Sequence, residues 1–187
     1  MASSSLRAMA DTAFTIRPAE PADVPVLLAL VRELAEYERE PDAVEATEQH
    51  LREALFPADP ESARSHALVA QDAGTVVGMA IWYVTFSTWT GRHGIWLEDL
   101  YVRPEHRGSG LGKALLARLA AIAVDRGWTR LEWWVLGWNA PSIAFYDSLG
   151  AQPMNEWMHY RLDHDELRAL AQLTGCSPGI EPAGTAP

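Results

Sequence analysis

A glycine-rich stretch in the middle of the chain has the residue types and spacing of an anion-binding loop. Residues 103–116 read RPEHRGSGLGKALL, so Gly108, Gly110 and Gly112 stand between an arginine and a leucine-rich run. The first turn of a helix carries backbone N–H groups without partners and a partial positive charge, and both favour an anion such as a phosphate. Glycines permit positive φ and close approach of the backbone, while Arg107 adds a formal charge. A glycine-rich turn without a ligand is the alternative that these residues leave open.

The spacing of this loop excludes two familiar nucleotide-binding motifs. A Walker loop requires Gly-Lys followed by serine or threonine, but Gly112 and Lys113 are followed by Ala114. The dinucleotide fingerprint is G-x-G-x-x-G, whereas this loop has G-x-G-x-G.

Alternating strands and helices are predicted on both sides of the loop from the apolar periodicity. The loop follows a strand that ends at Val102, and it precedes a helix that ends at Gly127. In chain order we expect a strand at 14–17, a helix from Asp23 to about 37–41, a helix from Thr47 to Pro57, a hairpin of strands at 66–72 and 75–88 with Gly74 in its turn, a strand at 94–102, the helix after the loop, a buried strand at 131–138, a helix at 139–150, a last strand at 156–162 and a short helix at 165–173.

Length and composition favour one compact domain. The chain has 187 residues, of which 48% are hydrophobic, and we place the domain at residues 13–174. The ends, 1–12 and 175–187, are rich in small residues, proline and glycine, and are expected to be disordered. No apolar stretch approaches the roughly 20 residues that cross a bilayer, and the N-terminus lacks the apolar segment of a secretory signal. We therefore expect a cytoplasmic protein without a membrane partner.

The charge is negative overall and unevenly distributed. Fifteen lysines and arginines against 25 acids give a net charge of −10, which disfavours nucleic acid as a partner. Six acids and one base lie in residues 36–48, whereas six bases and two acids lie in residues 103–130. The first region could suit a cation and the second an anion, although solvated helix faces would look the same.

Three motifs in a fixed order carry a resemblance to a known family. The stretches LEDLYV, RPEHRGSGLGKALL and LGWNAPSIAFYDSLGA follow one another and resemble the GNAT superfamily of acetyl-CoA-dependent N-acetyltransferases. The phosphate loop of that family, Arg/Gln-x-x-Gly-x-Gly/Ala, is matched by Arg107, Gly110 and Gly112. The resemblance covers about residues 14–173 and is closest to the diamine branch, the spermidine/spermine and thialysine acetyltransferases, which also share the patterns ELAxYE and WNxPSIxFY.

This resemblance implies the fold and the cofactor. The implied fold is α/β (α+β), with a mixed, mostly antiparallel sheet that is splayed at its centre, between strands at 95–102 and 131–138, and flanked by helices. The implied cofactor is acetyl-CoA, with its pantetheine arm along the backbone of Leu100, Tyr101 and Val102. Asn139 and Tyr146 would lie on the cofactor side of the cleft. The pyrophosphate would lie on the loop formed by Arg107, Gly108, Ser109, Gly110, Leu111, Gly112 and Lys113.

The resemblance also implies an acid and a base. An alkylammonium has a pKa near ~10.4, so fewer than about one amine in a thousand is unprotonated at neutral pH, and a proton acceptor is needed. Glu98 is the implied general base, acting directly or through water. Asp99 would face the other side of a regular strand and becomes a substitute only if a bulge changes the pleat. Tyr146 matches the family's general acid, since a phenol with a pKa of about 10 keeps its proton at pH 7. From the residues alone, Glu98 could be an exposed strand residue and Tyr146 an ordinary helix aromatic.

The implied substrate is a small cationic amine. In the diamine branch the pair that matches Tyr37 and Glu38 holds the distal amine, and an acid and an aromatic lie near the same pocket. Carboxylates and aromatic faces suit an alkylammonium. Both a polyamine and a thialysine-like amino acid fit this pattern. The implied substrate contacts are Tyr37, Glu38, Glu98, Asp99, Glu156 and Trp157.

Two other chemistries are disfavoured, and one alternative function stays open. Cys176, the single thiol, lies in the predicted tail without a neighbouring base, which favours direct transfer in a ternary complex. The six histidines lack H-x-x-x-H and H-E-x-x-H spacing, so we expect no metal. Family members pair as homodimers, and the resemblance implies the same here. The alternative is a non-catalytic acyl-CoA sensor or interaction module. The sequence of such a module would be expected to lack Glu98 or Tyr146.

Overall fold

The computed structural model describes residues 14–173. Both predicted tails, and Cys176 with them, lie outside the described residues. The chain divides into two compact units between Val135 and Leu136, and each unit is described by itself.

The first unit is built on a five-stranded sheet in the order β1-β2-β3-β4-β5. Its first four strands are antiparallel to their neighbours, and β5 is parallel to β4. This confirms the predicted mixed, mostly antiparallel sheet. The strands are β1 Phe14–Pro18, β2 Ser65–Asp72, β3 Thr75–Ser87, β4 Arg92–Val102 and β5 Leu131–Glu132.

Helices cover both faces of this sheet. In the first unit they are α1 Val24–Glu38, α2 Glu48–Leu55 and α3 Leu111–Asp125. Buried leucines of α1 and α2 pack with Met79, Ile81 and Tyr101 on one face. The alternate β3 residues Ala80 and Trp82 are also buried and point to the other face, where α3 contacts β3 and β4. The apolar stripes read from the sequence therefore fill two cores.

An ion pair connects α1 to the end of β4. The Nη2 of Arg103 lies 2.8 Å from Oε1 of Glu33, and the Nε of Arg103 donates to the same carboxylate. The carboxylate of Glu33 raises the pKa of Arg103. Because Arg103 immediately follows β4, this pair holds the start of the glycine-rich loop against α1.

The predicted buried strand at 131–138 is wrong in length and in burial. Only Leu131–Glu132 form a strand, which pairs with Ile95 and Trp96 of β4. Exposed fractions of 58% for Trp134 and 44% for Trp138 contradict the expected burial, because apolar composition alone does not supply a neighbouring strand. Among the described residues, β4 beyond Trp96 has no strand pairing on the β5 side, which is the separation that the predicted splay requires.

Residues 136–173, the described part of the second unit, contain two helices. They are α4 Ala140–Ser148 and α5 His164–Gln172, close to the predicted ranges. The predicted last strand at 156–162 is wrong, since these residues form no strand. Trp157, Met158 and Tyr160 are 65%, 76% and 82% exposed. An alternating apolar pattern forms a half-buried strand only where a partner strand is available. Within residues 14–173, no strand pairs with residues 156–162.

No helix within residues 14–173 has the length and apolar character needed to cross a membrane.

Candidate active site

A β-bulge in β4 places two adjacent carboxylates. Ile81 of β3 stands opposite Asp99, and its neighbour Trp82 stands opposite Leu97, so Glu98 is an extra residue without a partner on β3. Asp99 thereby lies on the sheet face of Ile81, which α1 and α2 cover. The regular pleat assumed from the sequence is absent, and the bulge makes Asp99 available on the same side as the end of α1.

The carboxylate of Glu98 is exposed and oriented by an indole. Trp96 donates a hydrogen bond from Nε1 to Oε2 of Glu98, with a length of 3.1 Å. Tyr83, opposite Trp96 on β3, has a pKa raised by burial and by the negative charge of Glu98. The sequence analysis missed both aromatic residues, although the spacing of two between Trp96 and Glu98 could have indicated that they share a side of the strand.

The carboxyl of Asp99 has a strongly raised pKa. Burial raises the pKa of Asp99 to about 7, and the charges of Glu98 and Glu38 add to the shift. Burial also raises the pKa of Glu38, which is the last residue of α1. Glu38, Glu98 and Asp99 therefore form an acidic cluster, defined here by these three residues, in which a cation would relieve the mutual repulsion.

Arg107 connects the glycine-rich loop to the aromatic residues beside this cluster. Its guanidinium lies 4.7 Å from the ring centre of Tyr37 and 5.4 Å from that of Tyr101. Its Nε donates to the carbonyl oxygen of Val102, at 2.9 Å. The arginine expected at the rim of a phosphate loop thus also contacts the tyrosine expected near the amine.

The loop itself has the geometry of an anion site. Gly108 and Gly110 have φ of +76° and +89°, a conformation that disfavours side chains. Gly110 is the N-cap of α3, and the first backbone bond of the helix runs from Ala114 N to Gly110 O at 2.9 Å. The N–H groups of Leu111, Gly112 and Lys113 precede that bond. Apart from its chain neighbours, no atom of the described residues lies within 4 Å of a Cβ built on Gly108 or Gly110, so the loop is open at these two positions.

Four other predicted residues lie in the second unit. Asn139 caps α4, since its Oδ1 accepts from the backbone N of Ser142 at 3.3 Å, and it is 6% exposed. Tyr146 lies on α4 with its ring 5.3 Å from that of Phe145. Glu156 and Trp157 are exposed. The first unit by itself brings together Tyr37, the acidic cluster, Leu100, Tyr101, Val102 and the glycine-rich loop.

Comparison with known proteins identifies the class to which this fold and site belong. Residues 28–151 match the acetyltransferase (GNAT) family. The chain therefore belongs to the GNAT family and is an acetyltransferase, a class that takes its acetyl group from acetyl-CoA. The predicted resemblance and fold class are confirmed.

The relatives include a member of the predicted branch. The thialysine N-epsilon-acetyltransferase of Bos taurus is 39% identical over 167 residues, covering 83% of this chain and 96% of that protein. An L-ornithine N5-acetyltransferase of Arabidopsis thaliana is 29% identical, covering 84% and 88%. Among solved structures, an integron cassette protein from the mobile metagenome of V. cholerae has a TM-score of 0.71 at 27% identity, covering 86% of this chain and 99% of that one.

Proposed function

We propose that this protein transfers the acetyl group of acetyl-CoA to a primary amine of a small cationic substrate, either a thialysine- or ornithine-like amino acid or a polyamine. The observation that carries the proposal is the bulge in β4, which gathers Glu98 and Asp99 with Glu38 into an acidic cluster. Such a cluster favours a bound ammonium. The names of the bovine and Arabidopsis relatives support the same substrate class.

The residues of the first unit fit the acetyl donor. Acetyl-CoA supplies an acetyl group activated as a thioester. The free N–H groups at the start of α3, with Arg107 and Lys113, would hold the diphosphate. Leu100, Tyr101 and Val102 lie on the part of β4 without strand pairing on its β5 side, so no other described strand there competes with the pantetheine arm, although the carbonyl oxygen of Val102 already accepts from Arg107. From the family resemblance, Asn139 is assigned a contact with the same cofactor.

Glu98 is assigned the role of proton acceptor. Its carboxylate is exposed, and Trp96 fixes one of its oxygens, so it can take a proton from the ammonium directly or through water. Asp99, with a pKa of about 7, is the substitute, because a base with that pKa changes protonation at working pH. A phenol has an ordinary pKa of about 10, and Tyr146 would give its phenolic proton to the departing sulfur.

Direct attack of the amine is assigned from the sequence, in which the single thiol, Cys176, has no neighbouring base. The remaining substrate contacts are assigned to Tyr37, Glu156 and Trp157. We also propose that the protein forms a homodimer, which light scattering tests, and that it is cytoplasmic.

The deciding experiment is an amine panel. Purified protein is incubated with acetyl-CoA and, in separate reactions, thialysine, lysine, ornithine, putrescine, spermidine and spermine, and free CoA is measured. We expect release with one group of amines and a loss of about 100-fold or more in kcat for Glu98→Gln and Tyr146→Phe. The exposed Glu61→Gln is the control, with activity equal to wild type. Acetyl-CoA binding in calorimetry without turnover on any amine would instead establish the non-catalytic sensor.

A further inference from the structure

An aromatic surface lies next to the acidic cluster on the same sheet. We call Tyr83, Trp96 and Trp134 the aromatic shelf. The rings of Tyr83 and Trp96 stack with their centres 6.3 Å apart and an interplanar angle of 28°. The rings of Trp96 and Trp134 meet edge to face at 4.7 Å and 81°. Trp96 therefore has a ring contact on each side, which restricts its rotation.

The shelf extends the sheet face on which Asp99 lies. Ile81 and Tyr83 are two residues apart on β3 and point to the same face. Around Ile81 that face is covered by α1 and α2. At the shelf, Tyr83 and Trp96 are half-buried and Trp134 is 58% exposed, so apolar surface is accessible directly beside Glu98.

The shelf and Glu98 form one arrangement, because the same tryptophan takes part in both. The indole N–H of Trp96 donates to Oε2 of Glu98, while its ring is held by Tyr83 and Trp134. One carboxylate oxygen is thereby occupied, and the direction of the other is set.

We propose that the aromatic shelf binds the hydrocarbon chain of the amine and so determines the preferred chain length, and that Trp96 is a positioning residue for Glu98. This inference rests on the proposed function. Charge favours this occupant, because an alkylammonium would place its charged end at the carboxylates and its methylenes on the rings. The ring faces attract the nearby positive charge as well. Each methylene that packs on the shelf raises kcat/KM by about two- to fourfold.

Chain length is tested with α,ω-diamines of three to six carbons. The measured quantity is the ratio of kcat/KM between variant and wild type for each diamine, because the intrinsic reactivity of the amine cancels in that ratio. For Trp134→Ala we expect a loss that grows with length and is about tenfold larger for the longest diamine than for the shortest. The matched control is Phe86→Ala, which removes a ring of similar exposure, 55%, on the opposite face of β3, and whose ratio does not change with length. A loss in Trp134→Ala that is equal for all lengths would overturn the shelf.

The positioning role is tested by Trp96→Phe, which keeps a ring and removes the donor. We expect kcat to fall about tenfold, the effect of a lost hydrogen bond to a charged group, while the dependence on chain length and the KM for acetyl-CoA stay as in wild type. Trp96→Leu, which removes ring and donor, should lose both kcat and chain-length dependence. An unchanged kcat in Trp96→Phe would refute the positioning role, and circular dichroism shows that each variant is folded.

These outcomes separate the inference from the function on which it rests. If the wild type acetylates no amine, the proposed function fails. If it acetylates amines and Trp134→Ala keeps the wild-type preference, the function stands and the shelf fails.

Discussion

Replacing Asp99 by asparagine should stabilise the protein, and the gain should depend on pH. The pKa of Asp99 is about 7 in the folded protein against an ordinary value of 3.8. A folded pKa above the unfolded one means that ionisation opposes folding. The contribution of this carboxyl to stability is therefore fully present below about pH 3.8 and is lost as the pH rises to about 7. Asparagine resembles the neutral acid and carries no such cost.

The size of the effect follows from the two pKa values. One pKa unit corresponds to about 1.4 kcal/mol, so the shift from 3.8 to about 7 costs the folded state about 4 kcal/mol once Asp99 is ionised. At about pH 5.5 the unfolded chain has lost this proton and the folded protein has kept it, and the cost is about 2 kcal/mol. Asp99→Asn should therefore gain about 2 kcal/mol more at about pH 8.5 than at about pH 5.5.

Urea unfolding of wild type and variant at both pH values measures this difference. Carboxylates outside the acidic cluster are the same in the two proteins, so their titration cancels in the comparison. Asp42→Asn makes the same chemical change at an exposed position and serves as the control, with a difference near zero. A gain for Asp99→Asn that is equal at both pH values, or a destabilisation that grows with pH, would refute the account of Asp99 as a buried acid beside two like charges.

Three further predictions concern the loop and the sheet. Gly110 and Gly74 have φ of +89° and +84° with open space around each, so Gly110→Ala and Gly74→Ala should each lose about 1–2 kcal/mol of stability in urea unfolding. Only Gly110→Ala should weaken acetyl-CoA binding in calorimetry. If both variants bind acetyl-CoA with the same affinity, the loop is not the phosphate site. Tyr37→Leu removes a ring that contacts Arg107 and should raise the KM for acetyl-CoA about two- to fivefold. Tyr37→Phe keeps the ring and should leave this KM unchanged. A KM unchanged in both variants would contradict a role of the Tyr37 ring in positioning Arg107. Gly94→Ala places a Cβ 2.9 Å from the backbone oxygen of Arg130, beside the start of β5. This should lower the free energy of unfolding by roughly 1–3 kcal/mol, which a lower melting temperature would report. An unchanged melting temperature would show that this close backbone approach can relax.

The conformation of the glycine-rich loop could be predicted because its signals are local. Positive φ at Gly108 and Gly110 and the start of α3 are encoded within a few residues of each other, so the order of glycines and leucines is sufficient. The hairpin of β2 and β3 and the capped start of α4 were predictable for the same reason, since each depends on neighbouring residues.

The bulge and the extent of β5 could not be predicted because they depend on residues distant in sequence. Whether Glu98 has a partner is determined by the pairing of β4 with β3, and nothing within IWLEDLYV specifies it. The pKa of Asp99 depends on Glu38, 61 positions earlier in the chain. The stretch LEWWVLGW has the composition of a buried strand, but pairing ends at Glu132, and composition carries no information about where a neighbouring strand diverges.

The bulge also means that the sheet could be complete without Glu98. Trp82 pairs with Leu97 and Ile81 with Asp99, so a chain lacking Glu98 would join these two pairs into one regular ladder with every other side chain on its present face. One extra residue therefore adds a carboxylate to β4 while its neighbours keep their pairing with β3. The candidate base thus occupies the one position of this part of β4 that the pairing with β3 does not require.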